Sequence, residues 1–139
     1  MREILFRGKR LDNGEWIDGM LFDGEHFAVI ADKIMQSDWH PTIDNFLIFG
    51  KQVIPETVGQ YTGLNDKNAK KIFEHDILKA YDPLDKRYFI GVVKYFDASF
   101  YICDTNSVPC YFGEYSFTDF EVEVIGNIYD DPELMKTAS

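Results

Sequence analysis

Val58-Gly-Gln-Tyr-Thr-Gly-Leu-Asn-Asp-Lys-Asn-Ala-Lys-Lys-Ile-Phe-Glu-His-Asp-Ile-Leu-Lys79 is the most patterned stretch of this 139-residue chain, and it reads as strand, turn, strand. Val58, Gln60 and Thr62 alternate with Gly59 and Tyr61, the period of an extended strand. Asn65-Asp66-Lys67-Asn68 then supplies four polar residues that close a turn through side-chain hydrogen bonds or a left-handed backbone. Ile72 and Phe73 follow as apolar anchors, and Glu74-His75-Asp76 leads into the β-leaning run Ile77 to Tyr81. Turn formation explains Gly59 and Gly63, because no Lys-Ser/Thr and no long helix follow them, as a phosphate-binding loop requires.

Upstream, Ile4 to Leu11, Glu15 to Phe22 and His26 to Ala31 are β-capable runs separated by Asp12-Asn13-Gly14 and Asp23-Gly24. They predict a β-meander over residues 1–57, its middle strand placing Trp16, Met20 and Phe22 on one face and Ile17, Gly19 and Leu21 on the other. Pro41 forces His40 out of helical geometry, so the segment from Asp32 to Asn45 reads as loop, with short strands at Phe46–Phe49 and Gln52–Ile54 beyond it. Downstream, Ile77–Tyr81, Arg87–Phe96, Phe100–Cys103, Tyr111–Phe117 and Phe120–Ile125 are five strand candidates, enough to close a small barrel within residues 58–139. Gly126-Asn127 is read as a break, Ile128-Tyr129 as a resumption, and Asp131-Pro132 as N-cap and first residue of a short helix.

The formal net charge is −10, and its distribution carries more than its size. Between Lys94 and Lys136 stand nine acids, Asp97, Asp104, Glu114, Asp119, Glu121, Glu123, Asp130, Asp131 and Glu133, with no Lys or Arg among them. Such a segment repels a nucleic-acid backbone, whose affinity comes from Lys and Arg displacing counterions, and attracts a basic protein. Arg2, Arg7, Lys9 and Arg10 form a local basic strip, so nucleic-acid association stays as the alternative, together with DNA mimicry by the acidic run. Met1 is followed directly by charged residues rather than an apolar leader, which predicts a cytoplasmic protein with no membrane partner.

No catalytic motif appears, and no enzyme activity, cofactor or metal is expected. Asp38 and His40 offer two metal ligands where a site needs three or four. Cys103 and Cys110 lack zinc spacing and are expected as reduced, semi-buried thiols. The paired aromatics of the acidic half alternate inward and outward, and the outward set reads as an acid-rimmed groove for a basic or proline-containing protein. Tyr101, Tyr111, Tyr115, Glu114, Asp119, Glu121 and Glu123 are the expected partner-binding residues, and self-association into a homo-oligomer stays open beside a protein partner.

Arg2-Glu-Ile-Leu-Phe-Arg7, the run Val58 to Asn68, Ile72-Phe-Glu-His-Asp-Ile77 and Glu123-Val-Ile-Gly-Asn-Ile-Tyr129 occur in an order that resembles the YopX family over nearly the whole chain. The resemblance implies a phage or prophage protein with an all-β fold and a small SH3-like barrel in its C-terminal part. Gly59, Tyr61, Thr62, Gly63, Leu64, Asp66, Asn68, Asp76, Gly126 and Asn127 match the family motifs and are expected to serve structure. Ala69 and His75 stand where the family usually has glycine. Asn68 is positioned to take the left-handed conformation in place of Ala69, whereas His75 is expected to be strained or its turn rearranged.

Overall fold

Gly14 adopts a φ of 72°, and the Asn13 side-chain oxygen accepts the Glu15 N–H at 2.9 Å, so the Asp12-Asn13-Gly14 turn forms as its chemistry dictates. On either side run β1 (Phe6–Lys9) and β2 (Trp16–Asp23), antiparallel, with Phe6 opposite Gly19 and Lys9 opposite Trp16. β3 (Ala28–Ala31) pairs with β2, and β4 (Lys51–Val53) pairs with β3. The structure is a computed structural model that describes residues 3–32, 50–83, 86–96, 99–104 and 121–136. The strands expected at Phe46–Phe49 and Tyr111–Phe117 lie outside them.

The chain divides into two compact units, Met1–Tyr61 and Thr62–Ser139. In the first, Ile17 and Leu21 fall on the face that packs with Phe6, Ala28, Ile30, Val53 and Val58, as the alternation predicts. Gly8 allows this packing to be close, because a Cβ there would stand 2.9 Å from the side chain of Val53. Beyond it, the Leu11 N–H donates to Gln52 O at 3.0 Å and the Ile54 N–H to Lys9 O at 2.8 Å, flanking a bridge between Arg10 and Val53. The sheet therefore curls until β4 meets the end of β1. A 3-10 turn, Pro55–Thr57, follows, and Thr57 Oγ1 accepts the Lys9 N–H while donating to Ile54 O. Barrel-like curl is therefore present in the N-terminal unit, where a meander was expected, and the described elements are strands apart from this turn and one short helix, as the all-β class expected of the chain requires.

β5 (Gly59–Asn65) opens with Gly59 and Gln60 opposite Arg7 and Phe6 of β1, and β6 (Lys71–Phe73) lies along its other side. Buried Thr62 donates its hydroxyl to Ile72 O at 2.9 Å, which fixes the β5–β6 register. The turn between these strands is organised by one carboxylate. Asp66 Oδ1 accepts the N–H groups of Asn68 and Lys70 at 2.8 and 2.9 Å, while its Oδ2 accepts that of Val124 at 3.0 Å. The Ala69 N–H donates to Asp66 O, closing a turn whose next position must be left-handed, and Ala69 occupies it with a φ of 64°. Asn68 does not relieve that strain, because the hydrogen-bond pattern and not the residue type selects the position.

His75 is also left-handed, at φ 77°, in the Phe73–Asp76 turn. Three hydrogen bonds hold it there: its N–H donates to Val93 O, its carbonyl accepts the Ile128 N–H, and Asp76, 1% exposed, accepts the Phe73 N–H at 2.8 Å. The ring stands edge-on to Tyr129 at 5.4 Å. β7 (Asp76–Asp82), β8 (Arg87–Phe96), β9 (Ser99–Asp104) and β10 (Glu121–Asn127) then form an antiparallel sheet in the order β10-β7-β8-β9. Among the described residues this sheet is open, so the closed C-terminal barrel is not observed. Leu78, Ala80, Phe89, Val93, Ile102 and Val122 build its core with Ile72. Gly126 and Asn127 continue β10 past a bulge rather than breaking it, and Ile128–Asp130 is a turn rather than a resumed strand. Asp131 turns its carboxylate back to the Asn127 N–H at 3.2 Å, and the short helix α1 (Glu133–Lys136) follows Pro132.

Two outcomes follow from these turns. Ala69→Gly is expected to stabilise the protein by about 1 kcal/mol, and His75→Gly by less because it also removes the Tyr129 contact, as read by urea denaturation. Burial by itself would raise the pKa of Asp66, but the Val124, Lys70 and Asn68 N–H donors and the Lys70 charge together hold it below the ordinary aspartate value. A lowered native pKa means stability present above the unfolded value of about 4 and lost as pH falls toward the native one. Asp66→Asn should therefore cost about 2 kcal/mol at neutral pH and flatten the dependence of stability on pH below about 4, measured by denaturant titration across that range.

Candidate functional site

Strand register sorts the outward face of the C-terminal sheet into rows. Glu121 lies opposite Tyr81, which lies opposite Tyr88, and in the next row Glu123 lies opposite Lys79, which lies opposite Ile90. Residues facing each other across antiparallel strands share a face, so these six side chains form one surface over β10, β7 and β8. Tyr88 is 60% exposed and its ring centroid is 5.0 Å from that of Tyr81, tilted by 57°. The Lys79 ammonium stands 4.8 Å from the Tyr88 centroid, a cation over an aromatic face. Glu121 is exposed and lies 3.8 Å from Lys67, a loose ion pair between solvated groups.

The other end of the same face is covered. Ile128 and Met135 pack on Val92, Tyr101 and Cys103, which leaves Tyr101 only 6% exposed. Tyr101 points to the face that alternation gave it, but the C-terminal segment lies over it. The expectation of an outward-facing, partner-binding Tyr101 is therefore corrected, since a residue sealed beneath Ile128 and Met135 cannot contact a partner. Cys103, expected as a reduced thiol, is disulfide-bonded. Tyr111, Glu114, Tyr115 and Asp119 lie outside the described residues, as does Cys110. Of the expected set, Glu121 and Glu123 are on the exposed end of the face, beside Tyr81 and Tyr88, which reading the acidic run alone passed over. The signal that finds them is alternation, which puts Lys79 and Tyr81 on one face of β7 and Tyr88 and Ile90 on one face of β8, combined with the register that makes the two the same face of the sheet.

The family-motif residues lie in the strands and turns of the fold. Gly59, Tyr61, Thr62, Asp66, Asp76 and Asn127 are buried, Gly63 has a φ of 89°, and Leu64 donates its N–H to Thr62 Oγ1. Asn68 donates to Asp66, and Gly126 leaves room for the Asp131 carboxylate, which a Cβ would meet at 2.5 Å. Asn127 Oδ1 accepts the N–H groups of Tyr129 and Asp130, shaping the turn after β10.

In the N-terminal unit the basic strip is partly engaged. Arg10 pairs with Asp12 at 2.7 Å, and that hydrogen bond raises the arginine pKa and lowers the aspartate's. Arg7 and Lys9 both lie over the Trp16 ring, at 4.8 and 5.8 Å from its centroid, while Arg2 falls outside the described residues. Among the described residues no three His, Cys, Asp or Glu side chains come together as a metal site would require, and no helix is long and apolar enough to cross a membrane.

The YopX protein family model matches residues 5–136. Among solved structures, the chain is similar to the crystal structure of protein EF1440 from Enterococcus faecalis, at 26% identity and a TM-score of 0.53, over 97% of this chain and 99% of that one. No curated protein matches the chain.

The two tyrosines should separate cleanly by stability. Tyr88→Ala is expected to cost less than about 1 kcal/mol, whereas Tyr101→Ala should cost about 3 kcal/mol, a contrast that equilibrium unfolding of the two variants measures directly.

Proposed function

The chain belongs to the YopX family, and from that premise we propose that it is a non-catalytic interaction protein of phage or prophage origin that binds a basic protein in the bacterial cytoplasm. The observation that carries this reading is the row Glu121–Tyr81–Tyr88, which sets an exposed carboxylate in one cross-strand row with two aromatic rings. Aromatic rings supply contact area at low entropic cost, and the carboxylates steer a cationic partner and reject an anionic one. The acidic run that contains Glu121 and Glu123 extends the same preference. The N-terminal strip supports the nucleic-acid alternative less, because Arg10 is engaged by Asp12 and Arg7 and Lys9 converge on a single ring.

The double variant Glu121→Lys, Glu123→Lys is expected to fold normally and to lose the partner that the native protein retains from host lysate. Raising the salt concentration should weaken retention by the native protein in the same direction. Retention indifferent to both changes would count against an electrostatic interface on this face.

A further inference from the structure

Ile128 and Met135 cover the same three residues, but the chain holds them there in different ways. Ile128 is tied by backbone: its N–H donates to His75 O at 3.1 Å, and Asn127 Oδ1 accepts the Tyr129 and Asp130 N–H groups that shape the turn around it. Past Asp131, the Leu134 and Met135 N–H groups donate to Asp131 O and Pro132 O, bonds that close turns within the segment and tie nothing to the sheet. A helix of four residues lies far below the length that its own hydrogen bonds sustain, so the place of α1 depends on the side chains it buries. Met135 is the α1 side chain that packs on Val92, Tyr101 and Cys103, each of them no more than 6% exposed. Met135 itself is half-buried, so part of the side chain that makes the seal is open to solvent.

We propose that Met135 is an oxidation site and the latch of α1: a peroxide converts its thioether to the sulfoxide and thereby releases the segment from the sheet. In that step the sulfur lone pair attacks a peroxide oxygen, the O–O bond breaks, the S–O bond forms and, with hydrogen peroxide, water leaves; the sulfur is oxidised and the peroxide reduced. The product is polar, whereas the surface beneath it is built from a valine, a tyrosine ring and a disulfide-bonded cysteine. A polar group pressed on such a surface loses hydration without compensation, so the sulfoxide favours solvent. Cys103 does not compete for the oxidant, because its sulfur is already held in a disulfide. Release bares Val92 and Tyr101 on the face that carries Tyr88 and Ile90, which lengthens the exposed apolar strip over β8 and β9. A thiol-dependent methionine sulfoxide reductase re-forms the thioether and with it the seal. The latch does not depend on what that face binds.

The test treats the full chain with dilute hydrogen peroxide, maps sulfoxide by mass spectrometry, and then probes each tyrosine with N-acetylimidazole, which acetylates accessible phenol hydroxyls. In the untreated chain Tyr88, 60% exposed, is expected to react and Tyr101 to be protected. After oxidation at Met135 the Tyr101 rate should rise by about tenfold or more, while that of Tyr88 stays unchanged. Met135→Gln, which places a polar group of similar length on the cluster, should give the open reactivity without peroxide. Met135→Leu should keep Tyr101 protected in peroxide even as exposed Met20 is oxidised. Tyr101 protection that survives a sulfoxide at Met135, or a peroxide response that persists in Met135→Leu, would overturn the latch. A gain in Tyr101 reactivity that comes only with loss of the cooperative thermal transition would overturn it as well, since the latch opens one segment and leaves the sheet folded.

Discussion

The Asp66 carboxylate is the contact on which the C-terminal unit depends. Two of its three N–H donors lie within four residues and close the β5–β6 turn, while the third, Val124, is 58 residues away along the chain. One buried anion thus couples a local event to a distant one. Bringing β10 back to β7 orders a long connection, and the entropy lost in doing so must be offset by contacts that form only in the returned position. The Val124 N–H on Asp66 is such a contact, and the Lys67 N–H on Val122 O at 3.1 Å is its neighbour. Charge-assisted hydrogen bonds are about twice as strong as neutral ones, which suits an aspartate rather than an asparagine to this post.

Local chemistry was legible in the sequence, and geometry that depends on distant residues was not. Asn13-Gly14 and Asp66 to Asn68 announce turns because the side chains that stabilise them lie within a few positions of the backbone they bind. The strands β1 to β3, β7 and β8 follow from alternation for the same reason. The fit of Gly8 against Val53, which lets the first sheet curl, joins residues far apart in the chain, so the sequence offered no reason to place the curl in the N-terminal unit. Ala69 shows the limit within a single turn: asparagine tolerates a left-handed backbone better than alanine, yet the Ala69 N–H on Asp66 O assigns that conformation by position. The candidate site divides in the same way. Glu121 and Glu123 were visible as charge, whereas the meeting of Tyr81 with Tyr88 is a matter of register, and the sealing of Tyr101 a matter of where the C-terminal segment lies.

That segment also sets the extent of the exposed face. A helix of four residues spans only about 6 Å, enough to cover one end of a sheet and no more. Ile128 and Met135 spend this reach on Val92, Tyr101 and Cys103, while Tyr88 and Glu121 in the rows beyond are exposed and Tyr81 and Glu123 half-buried. The greater burial at the Val92–Tyr101–Cys103 end of the face therefore goes with the placement of α1 and with the Asn127 and Asp131 hydrogen bonds that shape the turn before it.

β10 is an outer strand of the C-terminal sheet in the order described, and outer strands ordinarily offer unpaired backbone groups that invite an incoming chain. Here Asp66 takes the Val124 N–H and the Lys67 N–H bonds the Val122 carbonyl, so two backbone groups of the rim beside Glu121 and Glu123 are already engaged. The β5–β6 turn thus doubles as a partial cover for a strand edge, and a device that fixes the fold also narrows the backbone surface on which a second chain could add a strand.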